Sequence, residues 1–107
     1  MTLRPPSGYS GSSSGLLAEA MFDALGHEVL AEKAAALGRA GERAEKALLR
    51  LKNHTGDEAD RAKLLKETAG FVYAWFIQRE LCGFRRHDAV IRDLQIPREV
   101  LVRLGAA

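Results

Sequence analysis

Arg85, Arg86, His87 and Asp88 stand in a row directly after Gly83 and Phe84, and a run of that kind has two chemical uses. With Gln78, Arg79 and Glu80 nearby, its guanidinium groups would line a pocket and grip a carboxylate or phosphate. The plainer use is a solvated surface, in which Asp88 pairs with Arg92 one helical turn on and Glu80 pairs with a neighbouring arginine. The three histidines, His27, His54 and His87, are scattered, and the chain has no Glu-x-x-His or His-Glu-x-x-His spacing, so no metal site is expected. Cys82 lies five residues before His87, but a thiol at the C-terminal end of a helix meets the dipole end that disfavours a thiolate. It reads as a packing residue. A single cysteine also excludes an intramolecular disulfide and a zinc knuckle built on thiolates. With no phosphate-cradling glycine loop and no nucleophile elbow, the sequence is read as non-enzymatic and without a cofactor.

The remaining arginines of the C-terminal part raise a second chemistry. Val90, Leu94, Ile96, Leu101 and Leu104 occupy the apolar offsets of a helix-turn-helix over residues 87–104, which would place Arg98, Glu99, Val102 and Arg103 on the recognition helix. Arg85, Arg86, Arg92, Arg98 and Arg103 are then the candidate contacts to DNA or another anion. Two departures stand against this. The turn carries Gln95 where a glycine is usual, and Ile91 crowds a position that a small residue normally fills. Glu99 and Asp93 also oppose the approach of phosphate. A structural corner needs the same apolar offsets, so nucleic acid is the less favoured partner.

Charge has the same local character. The chain of 107 residues carries a net charge of +2. Residues 1–77 are balanced, whereas residues 78–107 hold six arginines against four acids. That is a thin excess beside the dense basic face of most nucleic-acid-binding domains.

The elements that must position these groups are helical. Residues 1–15, with Pro5-Pro6 followed by a Gly/Ser-rich stretch, have little to bury and are expected to form a disordered tail. From Leu16 to about Lys52 the pattern is helical, with Leu30, Ala34, Leu37, Gly41, Ala44, Leu48 and Leu51 alternating at steps of four and three, the spacing of a packed seam. Upstream, Ala18, Phe22, Leu25 and Val29 continue an apolar face with a small change of phase, so the two halves can face different neighbours. Continuity through Gly38 and Gly41 is favoured over a break. Asn53 to Gly56 form a turn, Asp57 caps a second helix that runs to about Cys82, and Gly83 stops it. Its inner seam is Ala62, Leu65, Ala69, Val72 and Phe76. Two short helices follow, roughly Arg86–Leu94 and Pro97–Leu104.

Within the second helix, Phe71 to Ile77 is apolar on every side, and a helix of that kind must be covered all round. Leu37, Phe71, Tyr73, Trp75, Phe76 and Ile77 are therefore expected at an oligomer interface, most simply a two-fold dimer. The first helix is amphipathic too. Its polar face, with Glu19, Asp23, Glu28 and Glu32, has the wrong sign for anionic lipid.

At Gln78-Arg79-Glu80-Leu81-Cys82-Gly83 and again at Ile96-Pro97-Arg98-Glu99-Val100, the chain resembles members of an uncharacterised family of small all-helical bacterial proteins, over most of residues 20–106. The resemblance implies a helical fold and no known activity, so it assigns no functional residue.

The reading is thus an all-α protein with a tail over 1–15 and one helical domain over 16–107. Its antiparallel pair of long helices is followed by two short C-terminal helices and completed as a bundle by dimerisation. With no apolar run of bilayer length and no signal peptide, a cytoplasmic address without a membrane is expected. A self-associating interaction or scaffold protein is the leading function. A small DNA-binding regulator using residues 87–104 and a binder of small anionic ligands are the alternatives.

Overall fold

The computed structural model describes residues 13–106, and they form four helices joined by short turns: α1 (Ser13–Lys52), α2 (Glu58–Leu81), α3 (Asp88–Asp93) and α4 (Arg98–Leu101). No strand occurs among the described residues. The expected tail lies outside the described residues as far as residue 12, while residues 13–15 belong to the first turn of α1. That helix is continuous through Gly38 and Gly41, because its many Ala, Leu, Glu, Lys and Arg residues are strong helix formers and offset the glycines. The chain divides into two units, one ending at Lys33 and the other starting at Ala34.

The second unit holds the core. Arg50 bonds Glu67, Thr68 bonds the Ala47 carbonyl, and Gly41 meets Trp75, so residues 41–50 of α1 run antiparallel to α2. Ala44, Ala47 and Leu51 of α1 pack on Leu65, Ala69, Val72, Trp75 and Phe76 of α2, and Ile96 and Val100 close the end. Leu37, Ala40 and Leu48 border this core. The expected seam therefore starts at Leu37, and Leu30 and Ala34 are exposed. Three buried residues escaped the sequence reading, one of them Val100 of α4. Ala47 widens the buried stripe of α1, and fully buried Thr68 spends its hydroxyl on the Ala47 carbonyl at 3.3 Å, which removes the cost of burying it.

The turns follow local chemistry. Asp57 Oδ1 accepts the Asp60 backbone N–H at 2.8 Å, capping α2 as expected and satisfying one of its orphan donors. At the other end Phe84 N–H bonds the Arg79 carbonyl and Gly83 N–H the Glu80 carbonyl. This is a Schellman closure, with Gly83 at φ +96° in the left-handed position that glycine enters without strain. The end of α3 repeats the closure through Ile96 N–H to Ile91 and Gln95 N–H to Arg92, but there the left-handed residue is Gln95, at φ +52°. A side chain in that conformation is strained by roughly 1 kcal/mol. Gln95→Gly is expected to raise stability by about 0.5 kcal/mol, part of the relief being lost to the freer unfolded chain. A urea titration showing destabilisation would contradict this account of the turn.

The short helices are shorter than expected, Asp88–Asp93 against 86–94 and Arg98–Leu101 against 97–104. The difference is a matter of end turns. Residues 94–95 and 102–105 are turns and do not extend the helices.

Candidate interaction surface

The aromatic girdle of α2 is mostly enclosed by its own chain. Trp75 is 9% exposed and Phe76 is buried, while Phe71 and Leu37 are half-buried against the same core. The indole fits because position 41 lacks a side chain: a Cβ there would stand 3.0 Å from Trp75 Nε1. Phe76 is covered by His87, whose ring stacks on it at 4.1 Å and 7°. Arg79 bridges the two aromatic neighbours of this lid, its guanidinium 5.9 Å from the Trp75 ring centre and 5.0 Å from that of Phe84. Of the expected interface residues, only Tyr73, at 44%, and Ile77, at 39%, are exposed.

His87 joins a polar cluster as well as covering Phe76. Arg79 Nε donates to His87 Nδ1 at 3.0 Å, and Glu80 lies 3.0 Å from Nε2. Since an arginine only donates, Nδ1 is the accepting nitrogen and Nε2 carries the proton toward Glu80. Arg79 Nη2 also donates to the Arg86 carbonyl, which ties the segment after α2 back onto the helix. The polar run after Gly83 is thus largely a structural clasp. Its signal in the sequence was the His87 spacing from Phe76 and Glu80, eleven and seven residues, which becomes proximity only once Gly83 reverses the chain.

The candidate anion contacts are dispersed. Arg86 pairs with Asp88 at 3.1 Å in an exposed contact, Arg103 donates to the Glu99 carbonyl at 2.8 Å, and Arg85, Arg92 and Arg98 are exposed. Arg85 and Arg86 do flank a groove of about 550 Å³ floored by Tyr73, Ile77 and Ile91, but Glu80 and Asp88 line it as well. Two carboxylates against two guanidinium groups leave no net pull on an anion. A second groove of about 550 Å³, beside Tyr73 and Gly105, has an apolar floor with Lys66 and Arg103 among its lining. The would-be recognition helix is the single turn of α4. Its Glu99 is held by both terminal nitrogens of Arg61, and this pairing keeps the Glu99 carboxyl below the usual carboxylate range. Arg61 sits in the first turns of α2, so the pair lashes α4 to the start of that helix. Glu99 therefore acts as a fastener here.

The large exposed apolar surface lies in the first unit instead. Leu16, Leu17, Met21, Phe22, Leu25, Val29 and Leu30 are each more than half exposed, Phe22 at 73% and Leu25 at 54%. Ala18, Phe22, Leu25 and Val29 recur at steps of four, three and four, so on a helix they form one stripe. Each large side chain of this kind would release about 1.5–3 kcal/mol on full burial. The stripe is bordered by Glu19 and Glu28 and ends at Glu32, and the segment 16–33 carries four acids against Lys33 as its one Lys or Arg. Among the described residues no group of three or more His, Cys, Asp or Glu could hold a metal ion, and no helix is long and apolar enough to cross a membrane.

The molecule is therefore an all-α protein of two long helices and two short C-terminal ones, with a covered girdle on the second and an uncovered apolar stripe on the first. Its residues 13–107 match the model of DUF6665, a family of unknown function, and the chain belongs to that family. No curated protein and no solved structure matches it.

Proposed function

We propose that this protein is a non-enzymatic helical module that works by self-association, and that the contact is made by the first half of α1. The observation that carries this reading is the run of exposed large apolar side chains from Leu16 to Leu30. Scattered exposed apolar residues are ordinary, but a contiguous set on a helix face marks an interaction surface. Phe22, Leu25 and Val29 lie on one face with Met21 at its edge, and each is more than half exposed, so this is the apolar surface that a partner would cover. A second copy is the partner that every molecule of the protein already has. Joining two copies of the chain through such a contact is the work of a scaffold.

The like charge of the segment gives this reading its test. Each copy brings a segment of net negative charge, so added salt should screen their mutual repulsion and strengthen association. Sedimentation equilibrium of the intact chain at tens of micromolar is expected to show dimers, with a larger dimer fraction at 0.5 M than at 0.05 M salt. Monomer alone under both conditions would end the proposal. Association weakened by salt would point to pairing through opposite charges on other surfaces.

A further inference from the structure

The exposed stripe of α1 also carries information about direction. We infer that the segment Ala18–Val29 of one protomer pairs antiparallel with the same segment of a second copy, with Phe22 opposite Leu25 of the partner subunit. This rests on the self-association proposed above and adds the register. The stripe reads Ala18, Phe22, Leu25, Val29 at steps of four, three and four, all exposed, and the next step in the series is Glu32. In a parallel, in-register pair every seam residue meets its own copy, so Glu32 would face Glu32 of the partner subunit across the seam. Like charges at packed helix positions are destabilising.

Reversing one helix removes that conflict. An antiparallel pair centred between Phe22 and Leu25 has four layers, with Phe22 and Leu25 exchanging places in the two middle ones and Ala18 opposite Val29 in the two outer ones. All four are apolar, and each outer layer sets a small side chain against a larger one, which suits interdigitation. Glu32 then faces Gly15 of the partner subunit, which sets no side chain against it. In this orientation flanking positions of the same kind face each other. Glu28 then lies beside Met21 of the partner subunit and Glu19 beside its Gly26, so no acid confronts an acid across the seam.

A parallel pair has one point in its favour, since it would set Glu28 beside Lys33 of the partner subunit. That contact is on the rim, where an exposed ion pair contributes little, whereas Glu32 in the parallel seam would be desolvated. The balance favours the antiparallel pair. The symmetry is an isologous two-fold, which closes at two copies and leaves no open end for further addition.

Disulfide trapping reads the direction. Ala18→Cys and Val29→Cys are made separately in a Cys82→Ala background, checked for unchanged helicity by circular dichroism, mixed in equal amounts and equilibrated in a glutathione redox buffer. Both positions are exposed, so neither substitution disturbs a core. The expected product is the mixed 18–29 disulfide, in roughly tenfold excess over either homodisulfide because only opposed positions come within bonding distance. Predominant 18–18 and 29–29 homodisulfides would overturn the inference in favour of a parallel pair. A statistical mixture from protein that still sediments as a dimer would also overturn it, leaving self-association through another surface. Sedimentation as monomer would remove the proposed function itself.

Discussion

Trp75→Ala is expected to cost the second unit about 3–5 kcal/mol, the range for deleting a large aromatic side chain from a core that relaxes only in part. The indole fills the space left open by Gly41, lies 5.8 Å from the Phe76 ring and carries the Arg79 guanidinium over its face. Removing it leaves a cavity at the crossing of α1 and α2 and strips Arg79 of one of its two aromatic supports. A unit of about 70 residues has a total stability of only about 4–10 kcal/mol, so the variant should have lost much of its cooperative transition by 37 °C. Circular dichroism is the proper probe, because Trp75 is the only tryptophan and its fluorescence disappears with it. A urea midpoint corresponding to a loss under about 1 kcal/mol would show that the indole is not part of the core.

Phe22→Glu combined with Leu25→Glu is expected to have the opposite profile, with a large effect on assembly and almost none on folding. The two side chains make the middle layers of the proposed pair, and each dimer would lose four large apolar groups and gain four charges at its centre. We expect the dimer dissociation constant to rise by at least about 100-fold, equivalent to ~2.8 kcal/mol. Both residues are exposed, and among the described residues every buried core residue lies beyond Ala34. Glutamate is also a strong helix former. The thermal midpoint of the second unit, measured at concentrations where the parent is itself monomeric, should therefore shift by no more than about 2 °C. Sedimentation of the double variant as a dimer would place the contact elsewhere on the molecule. Joint loss of dimer and of cooperative unfolding would mean that these side chains support the fold.

The contrast between these variants turns on how much of each stripe the sequence reading could assign. The two halves of α1 have similar apolar patterns, Ala18–Phe22–Leu25–Val29 and Leu37–Gly41–Ala44–Leu48–Leu51, and the change of phase between them was visible. Periodicity shows that a face is apolar and leaves open what covers it. The expectation placed the uncovered surface on Phe71–Ile77, because that segment is greasy on all sides. In the folded chain α1 and the C-terminal helices cover most of it, and three small contributions complete the fit: a glycine on α1 that admits the indole, an imidazole lid and an arginine spanning two rings. Each comes from a residue whose own character gives no hint of that duty. The extent of the covered stripe on α1 was closer to hand. The second helix, Glu58–Leu81, is much shorter than the first, and an antiparallel partner covers only about its own length.

What the sequence alone determines in this protein is local. The helix-forming composition, the Asp57 cap, the Gly83 stop and the turn at residues 53–56 each depend on a residue and its near neighbours, so they can be read without a fold. Gln95 marks the limit of that rule, since the turn demands a left-handed residue there and the tertiary packing of Ile96 and Val100 holds a glutamine in it. The tertiary structure alone decides which apolar surfaces are hidden, which charges are spent on fasteners such as Arg61 with Glu99, and which stripe is left for a partner. Burial is a property of two surfaces that meet, and a one-dimensional pattern describes only one of them.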